Sequence, residues 1–324
     1  MIVAFIEQED GRPDRSSLEA LTFARRTASS LGAPLGAVLF GSGAATAAAS
    51  LGAFGVSSAW VVELAGLEGY APAAWGRAVS QLVAATAPAI VLAAGNDRGQ
   101  EVLAYAATMS GAPMAANCVE LRPGNPFEVT RQRWGGSLLE DARLEGPTHF
   151  LTIAEHATAP EEVPSPAAVR VEAFAPVLAG SDRRVRVVAR VDPEAGKVSL
   201  ADARVVVGGG RGVGGAEAFS ELEELAGLLH GAVGVSRVVT SAGWRPHSQQ
   251  VGQTGTRIAP DIYIACGISG AIQHIVGCKA AKAILVINTD REAPIMSRAA
   301  YAVIGDLHTV VPAISAEIRR RHAS

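Results

Sequence analysis

Cysteine is scarce in this sequence: Cys118, Cys266 and Cys278 are odd in number, far apart and free of C-x-x-C spacing. That supports neither a disulfide framework nor a structural zinc site, and an intracellular, cytoplasmic location is expected. Lysine is scarce too, with only Lys197, Lys279 and Lys282 beside abundant arginine, a bias that carries no function. There is no dense basic stripe, and a formal net charge of -3 with a pI near 6.2 gives no electrostatic footprint for nucleic acid. No apolar run reaches the ~18 residues that a membrane span requires. Met1 runs directly into Ile2, Val3 and Ala4, without the basic start of a secretory signal or the Arg/Ser-rich start of an organellar presequence. The start shown is therefore expected to be the mature one.

What is present is a chain of 324 residues and 33.2 kDa with 49% hydrophobic and 18% charged residues. That is enough for two globular domains with sizeable cores. Short β-branched runs alternate with Ala-rich helical stretches, the pattern of crossover helices on a parallel sheet. It predicts strands over 2–7, 36–40, 59–64, 90–93 and 118–121, and helices over 17–31, 44–54, 71–85 and 99–110. Beyond Pro123 the rhythm changes, and 127–134, 138–144 and 149–153 read as antiparallel strands of an edge hairpin or sheet extension. Pro160, Pro164, Pro166 and Pro176 make the next stretch a linker or a surface-hugging arm. A strand-like 185–191 and a turn at 192–196 place the boundary between domains 1–191 and 192–324. The second domain alternates again, with strands over 204–207, 235–240, 262–266, 283–287 and 301–305 and helices over 216–229 and 270–277. The fold class is α/β: two domains, each a mostly parallel sheet flanked by helices.

Chemistry-bearing residues collect at strand ends of the second domain, where open α/β sheets bind ligands. Gly208, Gly209, Gly210, Arg211, Gly212, Gly214 and Gly215 form a glycine-rich turn between strand and helix. Such a turn either brings backbone and helix field to an anion or simply makes a tight connection. A fixed cation at Arg211 suits phosphate or an electron-rich ring. Ser236 and Arg237 are either part of the same site or a surface pair. Between glycines, Gln249 to Thr256 is either a solvated loop or a hydrogen-bonding wall. Ser269 is expected to cap a short helix whose first amides suit a diphosphate, and His274, one turn on, faces either ligand or core. Asn288, Asp290 and Asp306 follow strands, where turn and cap residues are also common.

The strings Gly209-Gly210-Arg211-Gly212, Ser236-Arg237, Gln250-Val251-Gly252-Gln253-Thr254-Gly255, Gly267-Ile268-Ser269-Gly270-Ala271-Ile272-Gln273-His274 and Ile287-Asn288 occur in this order over 204–312. They closely resemble the FAD-binding domain of the electron transfer flavoprotein α subunits, a family that includes the nitrogen-fixation-associated FixB paralogues. The first half resembles the family's N-terminal domain in layout. The resemblance implies a Rossmann-like C-terminal domain that binds FAD noncovalently. It also implies a heterodimer with a β subunit carrying AMP or a second FAD. Electrons would pass from flavoprotein dehydrogenases, such as the acyl-CoA dehydrogenases of fatty acid β-oxidation, to a downstream quinone reductase or similar acceptor. No catalytic acid, base or nucleophile is required, so the protein is a carrier and not an enzyme.

Carried over residue by residue, the resemblance puts Arg211 and Arg237 around the isoalloxazine, Thr254 near flavin N5 and His274 near the pyrimidine carbonyl. Ser236, Gln250, Val251, Gly252, Gln253, Ser269, Gly270, Ala271, Ile272, Gln273, Asn288, Asp306 and Leu307 complete the implied FAD contacts. Gly208 and Thr289 depart from the Ser and Lys that family members often carry there. Two other readings are a self-contained NAD(P)-dependent oxidoreductase using the glycine turn and a flavin-binding subunit that never turns over electrons. Against the first, Ser236-Arg237 stands where a ribose-binding acid is expected. A terminal helix over 312–319 is expected either to dock on the partner or to form a solvated cap.

Overall fold

The computed structural model describes residues 1–67, 69–188 and 198–322. The chain divides into two compact units, Met1–Arg190 and Val191–Ser324. The boundary read at 191/192 and the turn at 192–196 lie outside the described residues. Of the strand expected over 185–191, residues 185–188 are described and are not strand.

The first unit is built on β1 (Ile2–Phe5), α1 (Arg15–Leu31), β2 (Leu35–Phe40), α2 (Ala44–Ser50), β3 (Ser58–Val62), α3 (Pro72–Thr86), β4 (Ile90–Ala94) and α4 (Asp97–Ser110). Then follow β5 (Met114–Arg122), β6 (Phe127–Arg133), β7 (Leu138–Leu144), β8 (His149–Ile153) and β9 (Arg170–Ala173). Local chemistry sets the helix ends. The Asp14 carboxylate accepts from the Ser16 and Ser17 amides to start α1, Asn96 accepts from Gly99 to start α4, and Gly32 and Gly111 end these helices in left-handed conformation. The nine strands form one sheet in the order β9-β3-β2-β1-β4-β8-β5-β6-β7. Its inner strands are buried on both faces: Ile2, Ala4 and Leu39 pack on one side, Val3, Phe5 and Val38 on the other.

Two expectations for this half are corrected. Residues 149–153 are not an antiparallel edge element but β8, parallel to both β4 and β5 and inside the sheet. All five of its residues are buried, as a doubly covered parallel strand requires. The proline-rich stretch does hug the surface, with the Val163 amide on the Ala53 carbonyl and Glu161 paired to Arg25 and Arg26. It then supplies β9, an added parallel strand beside β3, so it is not merely a linker.

The second unit comprises β10 (Val205–Gly209), α5 (Phe219–Leu228), β11 (Ala232–Val235), α6 (Arg237–Ser241), β12 (Ile262–Cys266), α7 (Ile272–Cys278), β13 (Ile284–Asn288), β14 (Tyr301–Ile304) and α8 (Leu307–His322). All five strands are parallel, in the order β11-β10-β12-β13-β14. Period-two alternation sends Val206, Tyr263, Ala265 and Val286 into one core and Val207, Ile264, Cys266 and Ile287 into the other. The expected strand over 235–240 is corrected: the chain leaves the sheet after Val235, and Ser236 begins a short helix despite its β-branched Val238, Val239 and Thr240. The terminal helix is longer than expected, and Leu307 and Val311 bury one of its faces in this unit's own core beside α5. No helix among the described residues is long and apolar enough to cross a membrane.

Candidate cofactor site

The strand order reverses between β10 and β12, and a crevice opens there beyond the carboxyl ends of the strands, as expected of an open α/β sheet. It widens into a cavity of about 640 Å³, within the usual size range of small-molecule sites. Its wall takes Arg211 and Gly212 from the turn after β10, Ser236, Arg237, Val238 and Ser241 from α6 and its N-cap, and Gly267 and Ile268 after β12. Gln250, Val251, Gly252, Gln253 and Thr254 form a second side; Ser269, Gly270, Ala271, Gln273 and His274 form a third; Asn288, Asp290 and Ala293 close the rim.

Of the two readings of the glycine turn, the structure favours the tight connection. Gly210 and Gly212 donate to the carbonyls of Cys266 and Gly267 at 2.9 and 3.0 Å. A Cβ on Gly210 would lie 2.2 Å from the Gly267 oxygen, and one on Gly212 would lie 2.7 Å from the Gly267 Cα. These glycines thus let two loops pack backbone to backbone and aim Arg211 over the cavity. The expectation that a helix N-terminus adds its field here is corrected, because α5 starts only at Phe219, after an intervening 3-10 turn, and none of its residues lines the cavity.

Neither Arg211 nor Arg237 has an ion pair or hydrogen bond for its guanidinium among the described residues. Two uncompensated cations facing one cavity suit an anionic or electron-rich ligand.

The polar stretch 249–256 is a wall, not a solvated loop. Gln250 is 2% exposed. Its Oε1 accepts from the Thr240 hydroxyl at 2.6 Å, and its Nε2 donates to Thr254 Oγ1 at 3.0 Å. The backbone is held as firmly: Val251 donates to Val235, Thr256 to Gln250 and Gln253 to Gln273, at 2.7–2.8 Å. Gly277 lets this loop lie directly on α7, since a Cβ there would be 2.3 Å from the Gly252 nitrogen.

His274 is 6% exposed, with Nε2 2.8 Å from the Tyr263 hydroxyl and Nδ1 buried without a hydrogen-bond partner. Burial pushes its pKa down to about 4, against a smaller opposing effect of the Val251 backbone, so the ring is neutral near pH 7. It faces core and cavity at once, which resolves the two readings left open by the sequence.

Ser269 does not cap α7. Gly270, at φ +82°, and the extended Ala271 separate it from the helix, and Ala271 is the N-cap with no side-chain hydrogen bond. Asn288 spends its amide within the protein, donating to the Ile268 carbonyl and accepting from the Asp290 amide, both at 3.0 Å. Ile272, Asp306 and Leu307 do not line the cavity. Ile272 is 71% exposed, Asp306 accepts from the His308 amide at the start of α8, and Leu307 is core. Thr289 is exposed and also outside the lining.

Val238, Ser241, Asp290 and Ala293, together with Gly212, Gly267 and Ile268 from the matching strings, line the cavity but were absent from the implied FAD contacts. Val238 and Ser241 follow from the helix that 237–241 forms, in which they are three apart and share a face. Asp290 was visible only as one more strand-end polar residue.

Family comparison divides the chain in the same way. Residues 199–279 match the electron transfer flavoprotein FAD-binding domain, and residues 2–179 match the electron transfer flavoprotein domain. The chain is 32% identical over 323 residues to the electron transfer flavoprotein subunit alpha of Thermoanaerobacterium thermosaccharolyticum, covering 98% of this chain and 97% of that protein. It is 35% identical to the subunit alpha of Mycobacterium leprae, over 98% of both. It is 34% identical to Protein FixB of Clostridium saccharobutylicum, over 97% and 95%.

Proposed function

The chain belongs to the electron transfer flavoprotein α-subunit family, and from that membership we propose that the cavity at the carboxyl edge of the five-stranded sheet is where it holds its FAD. The protein is an FAD-binding electron carrier, not an enzyme with a conversion of its own. The observation that carries the assignment of the site is the pair of unpartnered guanidinium groups, Arg211 and Arg237, on the same cavity as the pinned Thr254 and the buried His274.

The residues fit the group. Bound FAD supplies the redox centre that takes up and releases electrons. Around it the protein supplies fixed charge and donors. Arg211 and Arg237 place positive charge on the cavity, which favours negative charge on the bound ring. Thr254 Oγ1 already accepts from Gln250, so its own hydrogen is free to point at a ring acceptor. His274 holds an unpartnered Nδ1 in the wall, matching an uncompensated polar atom of a ligand. The start of α7, without a side-chain cap, leaves amides beside Ser269 and Gly270 for phosphate oxygens. Leu307 packs against Gly267 behind the wall, while Ile272 and Asp306 stand off it; direct contact falls to the cavity-lining residues.

The alpha-subunit relatives imply a β-subunit partner. In our reading it carries AMP or a second FAD, cytoplasmic flavoprotein dehydrogenases deliver electrons to the pair, and a quinone reductase or similar acceptor takes them away. A self-contained NAD(P)-dependent oxidoreductase has no support, since β11 is followed by Ser236 and Arg237 in place of a ribose-binding carboxylate. The test is co-purification with the β subunit and extraction of the bound nucleotide. A yellow heterodimer reducible by an acyl-CoA dehydrogenase or similar donor is expected. A colourless heterodimer that refuses added FAD would overturn the assignment.

A further inference from the structure

Tyr263 is the second residue of the central strand β12 and is 0% exposed. Its hydroxyl is 2.8 Å from Nε2 of His274, and among the described residues it has no other hydrogen-bond partner. Gly208, on the neighbouring strand β10, makes room for it: a Cβ at 208 would lie 2.2 Å from the Tyr263 hydroxyl oxygen and 2.5 and 2.6 Å from ring carbons. The tyrosine reaches the back of the histidine only because residue 208 has no side chain.

The direction of this hydrogen bond follows from counting buried groups. A neutral imidazole has one N–H and one acceptor nitrogen, and a phenol has one hydrogen. Were Nε2–H to donate to the phenol oxygen, the phenol hydrogen and the Nδ1 lone pair would both be left buried and unpaired. With the phenol donating to Nε2, only the Nδ1–H lacks a made hydrogen bond; the Val251 backbone is its favourable neighbour, and both His274 and Val251 are residues of the cavity wall. Each unmade buried hydrogen bond is costly, so the second arrangement wins.

We propose that Tyr263 is a positioning residue of the cofactor site: its hydroxyl donates to His274 Nε2, fixes the Nδ1–H tautomer, and keeps that N–H as a donor for an electron-rich carbonyl of the bound ring. Gly208 belongs to the same device. The consequence for the ring rests on the cavity being the FAD site; the tautomer does not.

The test uses the heterodimer with ¹⁵N-labelled histidine, an H274Q variant to identify the resonance, and Tyr263→Phe. In the unaltered protein Nδ1 is expected to carry the proton. In Y263F the two tautomers become mixed. Bound FAD in Y263F is expected to remain stoichiometric, with its first reduction about three- to tenfold less favoured, the size of one net hydrogen bond. Gly208→Ala, which displaces the hydroxyl but keeps it, gives the same two changes if Y263F fails to fold. A proton on Nε2 in the unaltered protein, or a variant with unchanged tautomer and unchanged potential, overturns the proposal. A flavin-free heterodimer would count against the cavity assignment alone, because the tautomer is read on the histidine either way.

Discussion

Gln250 Nε2 donates to Thr254 Oγ1 across 3.0 Å, while the same amide's oxygen takes a 2.6 Å hydrogen bond from Thr240. One buried side chain thereby ties α6 to the loop that presents Thr254 to the cavity. Replacing it by leucine keeps the volume but removes both hydrogen bonds, so the Thr240 hydroxyl keeps only the Arg237 carbonyl at 3.0 Å and Thr254 loses its tether to α6. Q250L should cost about 1–3 kcal/mol, the loss of two net hydrogen bonds at about 0.5–1.5 kcal/mol each, read as a lower denaturation midpoint. Flavin affinity should fall about 5- to 100-fold on the same scale, measured by titrating FAD into the stripped heterodimer. Unchanged affinity would remove Gln250 from the positioning of Thr254.

The two free guanidinium groups give a second test. R237A removes a charge without breaking any bond among the described residues. The fold should therefore stay intact while the first reduction of bound FAD becomes about three- to tenfold less favoured, by loss of one charge-assisted contact. The shift should shrink at high salt, because the site is open to screening ions. R237K should restore part of it, retaining charge without the planar fork. Potentiometric titration of the three proteins decides; a potential insensitive to R237A would move that residue off the ring.

Much of this architecture was legible in the sequence, and the exceptions have physical causes. Strand β12 appears where expected because Ile262 to Cys266 is a pure apolar run ended by glycine. Residues 149–153 read as part of an antiparallel edge hairpin or sheet extension because a five-residue apolar strand looks alike at an edge and at a centre. Only the pairing of Phe150 with both Val91 and Met114 separates the two. Val238, Val239 and Thr240 disguised a helix turn as strand, which also concealed Val238 and Ser241 as cavity residues. The loop 249–256 looked solvated because its partners Thr240 and Gln273 lie elsewhere in the sequence, beyond the reach of composition. The glycine-rich turn read equally as an anion cradle or a tight connection, and only the packing of Gly210 and Gly212 on Gly267 decides for the connection.

That packing is itself testable. A methyl at 212 would lie 2.7 Å from the Gly267 Cα, with backbone on both sides and no flexible side chain to yield. G212A should destabilise the C-terminal unit by about 2–4 kcal/mol, as overpacking among rigid neighbours does, whereas G215A, whose Cβ meets nothing within 4 Å, should stay within about 0.5 kcal/mol. Thermal unfolding of the two variants checks the contrast, and equal melting temperatures would refute it.

The buried imidazole predicts a pH dependence of stability with a definite sign. His274 titrates at about 4 in the folded protein, against 6.5 for an ordinary histidine, because burial penalises its cation. Between these two values the unfolded chain binds a proton that the folded chain refuses. The neutral ring's contribution is therefore complete above about pH 6.5, declines as the pH falls, and is exhausted below about 4. A gap of this size corresponds to about 3 kcal/mol at the low-pH limit. Tyr263 and Cys278 share one core, Cys266 lies on the opposite face of the sheet, and burial raises all three, so they stay neutral throughout this range. Glutamine at 274 carries no titrating proton. Urea unfolding of the unaltered protein and H274Q at pH 7.5 and pH 5 should show the unaltered protein losing about 2 kcal/mol more than the variant on acidification. Parallel losses in the two proteins would mean that the imidazole is not held neutral by its surroundings.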